Sequence, residues 1–108
     1  MTTPLTLDTA RGSDGKFALV VAGEIDLSNI DAFHLALDTA STEATGGHGT
    51  LLVDLTAVEY LDSAAISALA TRADRIELVV HPILMPLLKV SGLTELTKIE
   101  PAPPPAEQ

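Results

Sequence analysis

The sequence has no cysteine and no tryptophan, and it has 6 lysine and arginine residues against 15 aspartate and glutamate residues. The absence of cysteine excludes a disulfide framework, a thiolate metal site and a cysteine nucleophile. A net charge of −9 leaves few groups that could neutralise the phosphates of a nucleic acid or of an anionic lipid surface. Two phenylalanines and one tyrosine are too few for base-stacking platforms. We therefore expect neither a nucleic acid nor a membrane as a partner.

Long apolar runs are also missing. No run approaches the roughly 20 residues that cross a bilayer, and the first residues, MTTP, do not resemble a signal peptide. A cytoplasmic location is therefore expected. Hydrophobic residues make up 46% of the 108 residues, which is enough for the core of one domain. Because residues 101–108 contain four prolines, we expect one domain over residues 1–100 and a mobile tail over residues 101–108.

The first half of the chain predicts a hairpin followed by a helix. Apolar residues in 5–9 and 17–22 have the spacing of two strands, and the Asp-Gly pair at 14–15 is a hairpin signal between them. Ser28 is a favourable N-cap, so a helix is expected from Ser28 to about Glu43. Its apolar stripe would contain Ile30, Phe33, Leu37 and Ala40.

The second half predicts alternating strands and helices. The expected elements are a strand at 50–55, a helix at 63–71 with a turn at 72–75, a strand at 76–80, a helix between Pro82 and Gly92, and a short strand at 98–100. Pro86 delays regular helix in the third helical segment to about Ile83 or Leu84. Strand-helix-strand repeats form parallel strands with right-handed crossovers. The expected fold is therefore an α/β sandwich, with a mixed and mostly parallel sheet, an N-terminal β-hairpin and helices packed on the sheet.

Three segments carry a resemblance to a known family. They are residues 51–65 (LLVDLTAVEYLDSAA), residues 21–26 (VAGEID) and residues 82–96 (PILMPLLKVSGLTEL). Together, in this order and at these separations, they resemble the STAS domain of anti-sigma factor antagonists over about residues 5–100. Two features differ from the usual family pattern. Ala65 stands where a glycine is common, and the helix that begins at Ser63 is shorter.

The segment Asp62-Ser63 is the most informative part of the resemblance, which implies that Ser63 is a phosphorylation site. A serine at the first position of a helix lies among backbone N–H groups that have no partner in the helix, at the positive end of the helix dipole. A phosphate is tolerated there. The spacing alone favours an ordinary helix cap at Asp62 or Ser63, which is the role of most such residues.

Small side chains surround this serine on the predicted helix. Ser63, Ala64 and Ser67 share one face, which would let another protein approach closely. Glu24 and Asp26 follow a strand that ends at the same edge if the two strands are neighbours. The residues expected to bind a partner are Glu24, Asp26, Asp62, Ser63, Ala64 and Ser67.

The resemblance implies a partner-switching function in sigma-factor-dependent transcription. The unphosphorylated protein would bind an anti-sigma factor that has a serine-kinase fold, and so free a sigma factor. The kinase would use ATP to phosphorylate Ser63 and release the complex, and a serine phosphatase would reverse the step. The chain itself would be neither an enzyme nor a cofactor protein. A monomer and a weak dimer both remain compatible with the sequence.

Two other functions remain open at this point. Small STAS proteins also occur as accessory subunits that bind the ATPase of an ABC-type lipid transporter, where the same helix would not need phosphorylation. An enzyme with Ser63 as nucleophile is disfavoured, because there is no Gly-x-Ser-x-Gly elbow and no histidine positioned by sequence to activate the serine. The three histidines are far apart and lack metal-ligand spacing, so no metal is expected.

Overall fold

A five-stranded sheet with the order β1-β2-β3-β4-β5 forms the centre of the computed structural model, which describes residues 4–11, 17–45 and 50–102. β1 is antiparallel to β2, and the other three pairs are parallel. The α/β class, the hairpin and the mostly parallel sheet are confirmed. The strands are β1 (Thr6–Arg11), β2 (Phe17–Ile25), β3 (Leu51–Leu61), β4 (Ile76–Val80) and β5 (Lys98–Pro101), and the helices are α1 (Ile30–Thr45), α2 (Ser63–Thr71) and α3 (Met85–Ser91).

The two faces of the sheet have different surroundings. Right-handed crossovers between successive neighbouring strands place all three helices on one face. On that face the strand side chains are buried: Leu19, Val21, Ile25, Leu51, Val53, Leu55, Ile76, Leu78 and Val80. The residues that alternate with them on β2, β3 and β4 remain partly or fully exposed. We call this second side the open face, and it contains Ala18, Val20, Ala22, Leu52, Asp54, Ala57, Glu77 and Val79.

Helix α1 packs the predicted stripe on the core, with Phe33, Leu37 and Ala40 buried and Ile30 half-buried. Phe33 and Leu37 are fully buried between the helix and the sheet. The predicted start at Ser28 is wrong, because α1 begins at Ile30. The Ser28 hydroxyl donates to the Asp26 carboxylate instead of capping the helix. The carbonyl of Asn29 accepts the first helical hydrogen bond, from the Phe33 N–H at 3.3 Å.

Strands β2 and β3 both extend beyond their predicted ends. The pairing continues to Ile25 and Leu61 through two register shifts, and the alternation of buried and exposed residues is interrupted in β3 but not in β2. Gly23 lies within β2 with φ of 100°, a backbone conformation that favours glycine. A Cβ at this position would overlap the carbonyl oxygen of Pro4, so glycine also permits the close approach of the N-terminal segment.

The α2 and β4 boundaries are those predicted, and the turn after α2 contains a 3₁₀ segment, Ala73–Arg75. The next helical segment starts as a 3₁₀ turn at Pro82–Leu84, and regular helix begins only at Met85. This start is one to two residues later than expected and leaves Pro86 in the first turn, where proline is tolerated. Gly92 ends α3 with φ of 85°, as predicted.

The C-terminal strand extends into the predicted tail. β5 includes Pro101, and the Ala102 N–H donates to the carbonyl of Val80 at 2.7 Å. The first two residues of that segment therefore pair with the sheet. Residues 103–108, the predicted hairpin turn at 12–16 and residues 46–49 lie outside the described residues.

Candidate functional site

The carboxyl ends of β2 and β3 lie side by side, because the two strands are parallel neighbours whose pairing reaches Ile25 and Leu61. Directly after the strands, the Asp62 N–H donates to the carbonyl of Ile25 at 3.2 Å. The predicted residues Glu24 and Asp26 lie at the end of β2, and the predicted Ser63 follows β3. All three therefore lie at the same edge of the sheet. We call residues 24–29 and 60–67 the serine edge.

Asp62 fixes the start of α2. Its Oδ1 accepts from the Ala65 N–H at 3.1 Å, and its carbonyl accepts from the Ile66 N–H at 3.1 Å. Ser63 is the first helical residue and is exposed. Helix geometry gives the N–H groups of Ser63 and Ala64 no acceptor within α2. The serine hydroxyl is therefore accessible at the positive end of the helix dipole.

The outer side of α2 carries small side chains, most of them polar. Ser63 and Ser67 are exposed, and Ala64 is half-buried. The Thr71 hydroxyl donates to the carbonyl of Ser67 at 2.9 Å and so completes this side one turn further on. Ala65, which replaces the common glycine of the family pattern, is fully buried against the core. A methyl group fits there, so this difference leaves α2 packed on the sheet.

The corner between β2 and α1 is held by side-chain hydrogen bonds. The Asp26 carboxylate accepts from the Ser28 hydroxyl at 2.5 Å and from the Ser28 N–H at 2.9 Å, which lowers the pKa of Asp26. Asn29 accepts from the Asp26 N–H and donates to the Glu24 carbonyl, both at 2.9 Å. Sequence reasoning did not identify Asn29, although an asparagine directly before a helix is a frequent N-cap.

Two exposed apolar side chains belong to the same edge. Leu27 is 75% exposed, and Tyr60, which pairs with Glu24 across the strands, is 50% exposed. Neither residue was among the predicted partner contacts. Leu27 lies outside the apolar stripe of α1. An apolar residue at such a position was the sequence signal that could have identified it as exposed. The serine edge therefore combines carboxylates, hydroxyls and apolar surface.

Arg72 fixes the other end of α2. Its Nε and Nη2 contact the Asp38 Oδ1, each at 2.9 Å, and its Nη1 donates to the Ala68 carbonyl at 2.8 Å. The hydrogen bond from Arg72 lowers the pKa of Asp38. The arginine side chain is only 11% exposed, so its charge is satisfied by these contacts rather than by water. α2 is thus tied to α1, a connection that sequence reasoning did not find.

Possible metal ligands are scattered in the described part of the chain. Within the residues that the structure describes, no group of three or more histidine, cysteine, aspartate or glutamate residues could hold a metal ion. The His81 Nδ1 accepts from the Ile83 N–H at 3.1 Å and so caps the 3₁₀ turn after β4. No described helix is both long and apolar enough to cross a membrane.

Comparison with known proteins agrees with this architecture. Residues 9–98 match the family model described as "Mlab, STAS domain", and the chain belongs to this STAS family. The resemblance seen in the sequence is therefore confirmed. A comparison with curated proteins gave no significant match.

Several solved structures share the fold. An anti-sigma factor antagonist from Mycobacterium paratuberculosis is 23% identical, with 94% of this chain and 92% of that chain covered and a TM-score of 0.80. The phosphorylated form of SpoIIAA, a Bacillus cell fate determinant, is 15% identical, with coverage of 92% and 93% and a TM-score of 0.62. Unphosphorylated SpoIIAA, an anti-sigma factor antagonist, is 14% identical, with coverage of 92% and 90% and a TM-score of 0.67.

Proposed function

We propose that this protein is an anti-sigma factor antagonist that binds an anti-sigma serine kinase through the serine edge and is switched off by phosphorylation of Ser63. The observation that carries the proposal is the position of Ser63, an exposed first residue of α2 that the Asp62–Ile25 hydrogen bond holds beside the Asp26 corner. The names of the solved relatives support the same function. The protein acts in the cytoplasm as a binding domain and regulates sigma-factor-dependent transcription.

The switch follows from charge and space at the serine. Phosphorylation adds about −1.5 to −2 charges at pH 7. The N–H groups of the first turn and the helix dipole favour this charge, whereas the carboxylates of Asp62 and Asp26 oppose it. These effects largely offset each other in the free protein, so the fold survives phosphorylation. A partner packed on Ser63, Ala64 and Ser67 would strip water from the phosphate, and a poorly paired buried charge costs several kcal/mol.

The chemistry belongs to the partners rather than to this chain. The kinase transfers the terminal phosphoryl group of ATP to the Ser63 Oγ, which loses its proton, and ADP leaves. A serine phosphatase hydrolyses the phosphoserine and restores the hydroxyl. The chain supplies the acceptor and the docking surface, and it uses no cofactor of its own.

Mass spectrometry after incubation with the cognate kinase and ATP tests the proposal. We expect phosphate on Ser63 and a binding affinity at least 100-fold weaker by calorimetry, with an unchanged circular dichroism spectrum. Ser63→Ala should bind and accept no phosphate. Ser67→Ala, one turn further along the same face, is the matched control and should still be phosphorylated at Ser63. Phosphate found only on Ser67 or Thr71 would contradict the assignment.

A second candidate is favoured by the matching family model, which is described as "Mlab, STAS domain". In this alternative the protein is an accessory subunit of an ABC-type lipid transporter, and the serine edge binds the transporter ATPase without phosphorylation. Copurification with such an ATPase would support the alternative, provided that no phosphate is incorporated and binding does not respond to added kinase.

A further inference from the structure

The open face of the sheet has an apolar centre. Its middle strands present Ala18, Val20 and Ala22 from β2, which lie beside Leu52 and Ala57 of β3. These side chains are only partly buried, or exposed in the case of Ala57, and none of them belongs to the core. Parallel strands are normally covered on both faces. The open face is therefore a surface that a further element could cover.

Carboxylates border this apolar centre on both sides. On one side, Asp8 of β1 lies opposite Val20. On the other side, Glu77 of β4 lies opposite Lys98, and Glu100 of β5 lies opposite Val79. Asp54 stands in the centre between Val20 and Val79, and its Oδ1 accepts from the Thr56 N–H at 2.9 Å. Lys98 is the only cation on this face among the described residues, and it lies 3.6 Å from Glu100.

We propose that the open face binds a basic amphipathic helix of a partner protein, independently of the serine edge. The strands that carry Asp8 and Glu77, β1 and β4, are three strand spacings apart, about 14 Å, and this lateral distance brackets a helix that is about 10–12 Å wide with its side chains. The apolar stripe of the helix would pack on Val20, Leu52 and the small alanine side chains. Lysine or arginine residues at both borders of the stripe would reach the carboxylates, because their long side chains extend sideways from an apolar contact.

The central carboxylate adds selectivity to this surface. Asp54 lies beneath the bound helix, where an uncompensated charge would be costly. A helix with one basic residue within its apolar stripe would pair with Asp54, whereas a purely apolar stripe would leave the charge of Asp54 without a cationic partner. The open face should therefore prefer basic amphipathic helices over uncharged ones of equal hydrophobicity.

The same charges disfavour the other possible occupants. A second copy would bring an identical acidic face, and like charges repel. The segment after residue 102, PPPAEQ, contains a glutamate and no basic residue. Nucleic acids and anionic lipid surfaces are repelled for the same reason.

The test is an NMR titration of the isotope-labelled protein with a synthetic 18-residue peptide. The peptide is an amphipathic helix with leucines on one face, lysines on both borders and one lysine within the apolar stripe. A peptide of the same composition in scrambled order is the control. We expect amide shifts to change at Val20, Leu52 and Val79 with the designed peptide, and at least tenfold weaker binding of the scrambled one. Shifts confined to α2, or equal binding of the two peptides, would overturn the proposal.

Isosteric variants separate local charge from net charge. Asp8→Asn, Asp54→Asn and Glu100→Gln together keep the local acceptors and should weaken peptide binding at least tenfold. The control combines Asp31→Asn, Glu43→Gln and Glu95→Gln, which remove the same charge from exposed positions away from the open face, and should change binding by less than threefold. Equal losses in both variants would show non-specific attraction and would contradict the proposal. Ser63→Ala should not affect this titration, so its outcome is distinct from that of the proposed switch.

Discussion

The backbone N–H of Asp62 and the carbonyl oxygen of Ile25, 3.2 Å apart, join the two corners of the serine edge by a hydrogen bond. This bond follows the last parallel pair of β2 and β3, so it fixes the first residue of α2 relative to the Asp26 corner. Because both atoms belong to the backbone, side-chain substitutions do not remove the bond.

Asp26 should titrate below the ordinary value of 3.8, because the Ser28 hydroxyl and N–H both donate to its carboxylate. A lowered pKa in the folded state stabilises the fold above the unfolded value of about 3.8, and this contribution is lost as the pH falls through the folded pKa. Carboxyl ¹³C NMR titration measures the pKa directly. Ser28→Ala removes one of the two donors and should return the pKa part of the way towards 3.8. An unchanged pKa in Ser28→Ala would contradict the assigned cause.

Substitution of two glycines should separate a steric clash from backbone strain. Both Gly23 and Gly92 have positive φ, 100° and 85°, so alanine is strained at either position by about 1–2 kcal/mol. Only at Gly23 would the new Cβ also overlap a backbone atom, the Pro4 carbonyl oxygen. We expect Gly23→Ala to lower the free energy of unfolding by about 2–5 kcal/mol, and Gly92→Ala by about 1–2 kcal/mol. Urea denaturation measures both, and equal losses would argue against the close approach of Pro4.

Phe33→Ala tests the packing of α1 on the sheet. The ring is fully buried, so its removal should lower the free energy of unfolding by about 3–5 kcal/mol. Leu35→Ala is the matched control on the same helix, since Leu35 is 68% exposed. It should cost less than about 0.5 kcal/mol. A small loss for Phe33→Ala in urea denaturation would show that the assigned face of α1 is incorrect.

The contacts of Arg72 can be separated by a double-mutant cycle. Arg72→Met removes the hydrogen bond to the Ala68 carbonyl as well as the ion pair, and should cost about 1–3 kcal/mol. Asp38→Ala, which removes the acceptor oxygen as well as the charge, should cost less than about 1 kcal/mol, because the carboxylate is 65% exposed and screened by water and salt. The cycle isolates the coupling between the two side chains. A coupling as large as the whole Arg72→Met effect would mean that the Ala68 contact contributes little to stability.

Short sequence patterns predicted the features of the fold that depend on residues close together in the chain. The spacing of Phe33 and Leu37 predicted the buried side of α1, and Gly92 predicted the end of α3. Ser28 and Asn29 are both favourable cap residues, but both side chains bind within the preceding corner: the Ser28 hydroxyl donates to the Asp26 carboxylate, and the Asn29 amide accepts from the Asp26 N–H and donates to the Glu24 carbonyl. The chemistry of a single residue could not decide between them.

Features that depend on distant partners were beyond sequence reasoning. The carboxyl half of β3 contains the exposed Thr56 and Glu59, which interrupt the alternation of apolar and polar residues. This half nevertheless pairs with β2. Arg72 contacts Asp38 across 34 residues of chain, and nothing in the local pattern indicates that pairing. The sequence predicted that Asp26 and Ser63 lie at the same edge only if β2 and β3 are neighbours. The sheet order satisfies this condition.

The close approach of Pro4 to Gly23 has a practical consequence for any fusion to this protein. β1 begins beside the carboxyl half of β2, where Thr6 pairs with Ala22, so Pro4 lies near the serine edge. An affinity tag or fluorescent reporter attached at Pro4 would compete for the same space with the partner proposed for the serine edge. β5 ends four strands away from β1, and a label attached beyond Ala102 leaves the Asp26 corner more accessible.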